Sequence, residues 1–423
     1  MTGTPEELVD HLFRHQSGRM VAVLTRIVGP ANISLAEDIV QDVLCDALET
    51  WKFGRLPENP AAWLMQAARH RAIDLVRRAG RFSALSGELR RHLESQQQLI
   101  TAIDNLFGES AIDDGVLALA FACCHPDLQP DSQVTIILKY LCGFSVREIA
   151  HAFLVSEQTI EKRLTRGRAA LKSQIALDLD LGHGLETARL GSVLRAIYLL
   201  FNEGYHGANE SFPIREELCS EALRLGLLLA TRPPFDGPET KALVALLFLH
   251  GARLPGRVDE EQYLVTLAEQ DRSRWDRDLI QRGLFWLGES AAGDSVSEYH
   301  IEAAIAAHHV VAPSVEGTDW GEIRTLYAAL AQLRPSPVIA LNHAIAAGMA
   351  DGPSAGLAAL NSIGGKERLQ AYPFFHAALA EFQGRLGDLS AARRSLDRAI
   401  AAARNPRERV LLQDRRLALG ENS

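Results

Sequence analysis

Cysteine is scarce, with five residues in a chain of 423: Cys45, Cys123, Cys124, Cys142 and Cys219. The number is odd, the positions are scattered and no C-x-x-C spacing occurs, so neither a disulfide framework nor a zinc knuckle is supported, and the set reads as reduced, mostly buried thiols. Long apolar runs are also missing. No stretch reaches the ~18 uncharged apolar residues of a membrane span, and the acidic segment 1–10 has no secretion-signal core, which predicts a cytoplasmic chain with no membrane contact. Three catalytic signatures are absent: G-x-x-x-x-G-K-[ST], H-E-x-x-H and G-x-S-x-G. Nucleotide hydrolysis, zinc proteolysis and serine esterase chemistry therefore have no motif behind them, and no cofactor is expected. Cys123-Cys124-His125 does not change this, because neighbours on a helix point about 100° apart and cannot readily share one tetrahedral metal.

What is present is ordinary globular material, 47% hydrophobic and 23% charged, enough for two to four domains. The formal net charge is −9, which by itself argues against nucleic acid as a partner. The local distribution says otherwise. Arg69, Arg71, Arg77, Arg78 and Arg81 crowd one short segment against a single acid, Asp74, and Lys162, Arg163, Arg166, Arg168 and Lys172 crowd another with no acid. Phosphate recognition needs dense local positive charge whatever the sign of the whole; the plainer reading is two solvated helix faces.

The periodicity is helical almost throughout and predicts an all-α fold. Leu8, Leu12, Met20, Leu24 and Ile27 mark a first helical region. Leu35, Ile39, Val43, Ala47 and Trp51 mark a second, opened by Ser34 and Glu37 at capping-box spacing. A third follows Asn59-Pro60, a capping side chain with proline at the first helical position. These helices make a first domain, 1–82. Periodicity fades over a linker, 83–112, and returns in a second domain, 113–176. A large helical portion, 185–423, follows, with breaks at 232–238, 254–258 and 288–297. Within it Leu379, Ala380, Gly387, Asp388, Ala392, Leu396 and Ala399 follow the order of small and large positions in a tetratricopeptide-type helical pair. Residues 336–363 form a looser copy with its turn at Asp351-Gly352-Pro353. His308-His309 and the Asp271, Arg272, Asp276 group fit helix caps and helix-to-helix ion pairs better than a catalytic pocket.

The most specific local signal lies in 145–168. Ser145 and Glu148 have capping-box spacing, Ala150 is small where two helices would cross, and Val155-Ser156 supplies a turn with Ser156 capping the next helix. Leu154 stands where such turns commonly have glycine. Ile160 and Leu164 face inward, leaving Gln158, Thr159, Lys162, Arg163, Arg166 and Arg168 for base edges and flanking phosphates in a major groove. This is a helix-turn-helix pattern.

Two motifs in order, Ala36-Glu-Asp-Ile-Val-Gln-Asp42 with Trp63-Leu64 and Ala68 through Arg78, then Arg163-Leu-x-Arg-Gly-Arg168 with Leu171, resemble conserved regions two and four of the sigma-70 family, extracytoplasmic-function type. The portion beyond 185, including Gln270 through Asp276, resembles the subgroup with a helical, tetratricopeptide-like extension. The resemblance implies a transcription initiation factor that performs no bond chemistry and binds RNA polymerase core (its β′ and β subunits) and promoter DNA. A regulatory protein is a possible further partner of the extension. It assigns polymerase contact to Asp38, Gln41 and Asp42. It assigns DNA contact in the first domain to Arg55, Asn59, Trp63, Arg69, His70, Arg71, Asp74, Arg77 and Arg78. His70 stands where the family commonly has Asn. A helix-turn-helix regulator acting without polymerase and a helical interaction scaffold are the alternatives.

Overall fold

A computed structural model describes residues 5–53, 56–78, 96–124, 127–153, 155–173, 185–206, 214–259, 265–403 and 406–421. Every regular element among them is a helix. The chain forms two compact units, 1–200 and 201–423.

In the first unit, α1 (Pro5–Val28), α2 (Ile33–Phe53) and α3 (Pro60–Arg78) pack around Leu24, Ile27, Val40, Val43, Leu64 and Ala68, all fully buried or nearly so. Each such Leu, Ile or Val side chain contributes roughly 1.5–3 kcal/mol on leaving water. The cap read at Asn59 is present, with Asn59 Oδ1 accepting from the Ala62 amide at 3.0 Å. The cap read at Ser34 is not. A 3-10 turn, Pro30–Asn32, feeds straight into α2 at Ile33, so Ser34 already lies inside the helix. Its hydroxyl instead shares a hydrogen bond with Tyr140, and Glu37 pairs with Lys139 at 2.9 Å.

The stretch expected as a linker contains α4 (Gln96–Leu106) and the start of α5 (Glu109–Ala122). Buried Ile103 and the Arg69–Asp104 ion pair tie α4 to the first helices, and Arg26 donates to the Ala111 carbonyl at 3.3 Å. Then come α6 (Pro130–Tyr140), α7 (Val146–Phe153) and α8 (Glu157–Ser173). Gly18 of α1 lies so close to this second group that a Cβ there would stand 1.8 Å from the Leu141 carbonyl oxygen. The early part of α9 (Leu185–His206) belongs to the same unit: Arg189 donates to the Phe121 carbonyl, Ser192 to Gln133, and Arg195 pairs with Asp131. These anchors place the division at 200/201, inside the portion expected to begin at 185.

The second unit continues with α10 (Glu216–Ala230), α11 (Pro238–Gly251), α12 (Arg277–Ser290), α13 (Glu298–Val311), α14 (Trp320–Leu333), α15 (Pro337–Asp351), α16 (Pro353–Ser362), α17 (Pro373–Arg385), α18 (Leu389–Ala402) and α19 (Pro406–Glu421). The helix breaks fall where the composition placed them. Asp276 and Asp388 cap α12 and α18 through their Oδ1 atoms. Helices α15/α16 and α17/α18 are antiparallel hairpins turned at Gly352 and Gly387, both at positive φ, where glycine carries no Cβ penalty. Gly348 and Gly356 leave the space that the Phe382 ring fills.

Candidate nucleic-acid and polymerase interface

The amphipathic pattern of α2 buries Ala36, Ile39, Val40 and Val43 and turns Asp38, Gln41, Asp42, Asp46 and Glu49 to solvent. Carboxylates spaced three or four apart on one helix face repel by a few tenths of a kcal/mol each. Arg71 of α3 relieves two of them, lying 2.5 Å from Asp46 and 3.9 Å from Asp42. The Asp46 hydrogen bond raises the Arg71 pKa. Asp38 and Gln41 make no such contact among the described residues, and Arg71 meets only two of the exposed carboxylates.

The basic face of α3 is less open than its composition suggests. Arg69 is held by Asp104 at 2.7 Å and Arg71 by Asp46, while Arg77 is exposed and pairs with no described carboxylate. His70 is exposed and shares a 3.1 Å hydrogen bond with Gln66. Trp63 is half-buried, edge-on to buried Trp51 with centroids 5.5 Å apart. Trp63, His70, Arg71 and Asp74 line an open depression of about 360 Å³ together with Asp46, Glu49, Thr50 and Ala67. Three carboxylates in that lining favour amino-group donors over phosphates. Asn59 is used as a helix cap. Arg55 and the Arg78 side chain lie outside the described residues.

The helix-turn-helix is built as its local pattern requires. Ser145 and Glu148 form a reciprocal capping box, the Ser145 amide donating to Glu148 Oε2 at 2.8 Å and the Glu148 amide to Ser145 Oγ at 3.2 Å. Ser156 Oγ accepts from the Thr159 amide, and the Thr159 hydroxyl bonds Ser156. Ala150, Ile160 and Leu164 are buried where α7 crosses α8. Leu154 lies outside the described residues. Gln158, Lys162 and Arg166, four residues apart, share one exposed face; Arg168 is exposed on another side of the helix. Arg163 turns inward, 3.1 Å from Asp131 with its guanidinium 4.9 Å from the Phe153 ring centroid. The internal counter-charges Asp46, Asp104 and Asp131 escaped sequence reasoning because each acts on an arginine 25 to 35 positions away.

No metal-type group of His, Cys, Asp or Glu occurs among the described residues. Cys123 and Cys124 are buried free thiols, and burial pushes the Cys124 thiol up to about 12. No described helix is long and apolar enough to cross a membrane.

The first unit thus sets a three-helix group with an acidic ridge ahead of a helix-turn-helix with a cationic outer stripe. Residues 12–82 match sigma-70 region 2 and residues 118–171 match sigma-70 region 4; residues 189–291 match a family of unknown function, DUF6596. The chain belongs to the sigma-70 family, as an extracytoplasmic-function-like factor with a C-terminal extension. It is similar to an uncharacterized protein of Rhizobium meliloti (strain 1021), 38% identical over 384 residues that cover 90% of this chain and 89% of the relative. No solved structure matches.

Proposed function

We propose that this chain is an alternative sigma factor that docks on RNA polymerase core through Asp38, Gln41 and Asp42 and grips promoter DNA through α3 and α8. The observation that carries the reading is the joint exposure of two opposite surfaces in one compact unit: the acidic ridge on α2 and the Gln158, Lys162, Arg166 stripe on α8. The first suits a basic partner protein and the second the phosphates and base edges of duplex DNA. Trp63 and His70 at the α3 depression suit stacking and pairing with an unpaired base. Gripping two separated promoter elements requires the Glu37–Lys139 and Ser34–Tyr140 contacts between the modules to open.

The test is co-purification with core polymerase followed by run-off transcription. Asp38→Lys with Asp42→Lys is expected to abolish core binding while leaving binding of α8 to duplex DNA intact. Retained core binding would rule out the ridge as the docking face. The second unit is assigned a regulatory role, supported by its size and its stacked helical hairpins. A chain ending at residue 200 keeps Arg189, Ser192 and Arg195 and is the truncation to assay; transcription indistinguishable from the full chain under every condition would refute regulation.

A further inference from the structure

Around Trp275 in the second unit, three arginines gather with no described carboxylate in an ion pair with them. Arg253, only 8% exposed, follows α11 and donates to Gln270 Oε1 at 3.4 Å, with its guanidinium 5.5 Å from the Trp275 ring centroid. Arg272 approaches the same ring at 4.7 Å and donates to the carbonyls of His309 and Ala312 at 2.7 and 2.6 Å. The Arg257 guanidinium lies over the Tyr205 ring, 3.7 Å from its centroid. None of the three pairs with a described carboxylate. Asp271 is committed to Ser273, and exposed Glu316 acts on Arg272 only at long range.

Unused polar atoms remain in this group. Arg253 Nε, Arg257 Nε, Arg272 Nη2, His309 Nδ1 and the indole nitrogen of Trp275, a residue 2% exposed, have no hydrogen-bond partner among the described residues. Gly256 lets the backbone come close to that indole, since a Cβ there would stand 2.7 Å from Nε1. Burying a cation without a counter-charge costs several kcal/mol, and a guanidinium cannot escape the cost by losing its proton. Aromatic faces and carbonyls repay part of this. The neighbouring His309 registers the remaining field: burial, Arg253 and Arg272 hold its pKa down to about 3, so it stays neutral. Arg257 and Arg272 are half-buried, so part of each residue reaches the surface.

We infer that Arg253, Arg257, Arg272 and Trp275 form a binding site for a small oxyanion, the carboxylate or phosphate group of a soluble metabolite. Guanidinium forks match both groups bidentately, and the indole N–H adds a fixed donor. The site is independent of the polymerase and DNA faces, and it gives the second unit a chemical input of its own.

Thermal unfolding of the full chain tests this, in inorganic phosphate, in succinate, and in sodium chloride at matched ionic strength. The expected result is a rise in Tm that grows with the logarithm of ligand concentration and reaches about 5 °C at roughly a hundred times Kd, with one or both oxyanions. Arg257→Met removes a half-exposed member and is expected to abolish the rise. Arg272→Lys keeps the charge but loses the fork and is expected to at least halve it. Lys162→Ala with Arg166→Ala is expected to leave it unchanged. A response to phosphate alone assigns a phosphoryl ligand, and one to succinate alone a carboxylate ligand. No rise beyond chloride, or an equal rise in Arg257→Met and the parent chain, would overturn the inference.

Discussion

Helices α3 and α8 carry similar positive charge and differ in what meets it. On α3 Arg69 and Arg71 are held by Asp104 and Asp46, and Arg77 is exposed and pairs with no described carboxylate. On α8 the proportion is reversed: Lys162, Arg166 and Arg168 are exposed, and among the described residues Arg163 alone is drawn into an ion pair. In the second unit the arginines around Trp275 meet rings and carbonyls. A count of basic residues is therefore a poor guide to available charge. An exposed cation attracts phosphates, a paired one organises its own unit, and a buried one alters the titration of its neighbours.

The buried set has the largest expected effect. His309 has an ordinary unfolded pKa near 6.5 and a folded value of about 3. The unfolded chain therefore binds the extra proton first, and stability present above about pH 6.5 is lost as the pH falls toward 3. Between pH 7 and pH 5 this amounts to about 2 kcal/mol. Urea unfolding in chloride buffers is expected to show that slope, and His309→Gln to flatten it. An unchanged slope would separate His309 from the arginine field.

The exposed set comes next. Lys162→Ala with Arg166→Ala is expected to weaken duplex promoter binding about tenfold at 0.1 M salt and to lower the slope of log K against log salt by about two. Fluorescence anisotropy over a salt series measures both. The single change Arg163→Ala sharpens the contrast, because its main expected cost is the Asp131 and Phe153 contacts. That cost is about 1 kcal/mol of folding stability, and a denaturation midpoint lower than that of Arg166→Ala is the check. The smallest effect is at α3. Asp46→Asn releases Arg71 and is expected to raise affinity for single-stranded DNA two- to threefold, which filter binding at low salt resolves. A loss of affinity instead would mean that the Asp46–Arg71 pair positions the helix.

What was legible in the sequence divides along a physical line. Helix breaks, the cap at Asn59, the capping box at Ser145 and Glu148, and the turn at Ser156 depend on residues within four positions of one another, and all are present. Ser34 and Glu37 have the same spacing as Ser145 and Glu148 but do not form a cap. Their partners Tyr140 and Lys139 arrive from another part of the chain, and the preceding 3-10 turn removes the free helix start that a cap would serve. The neutralised arginines of α3 and the arginine group of the second unit were hidden for the same reason. Asp271 and Asp276 were legible as caps; that Arg272 reaches across to the end of α13 was not.

Gly18 carries a consequence for any redesign of the first unit. Because only a hydrogen atom separates its Cα from the peptide oxygen of Leu141, the spacing between the leading helix and the reader-helix module is gauged by the smallest side chain available. A single methyl group at that point would act as a wedge, so one codon governs how tightly these two parts of the first unit can fold together.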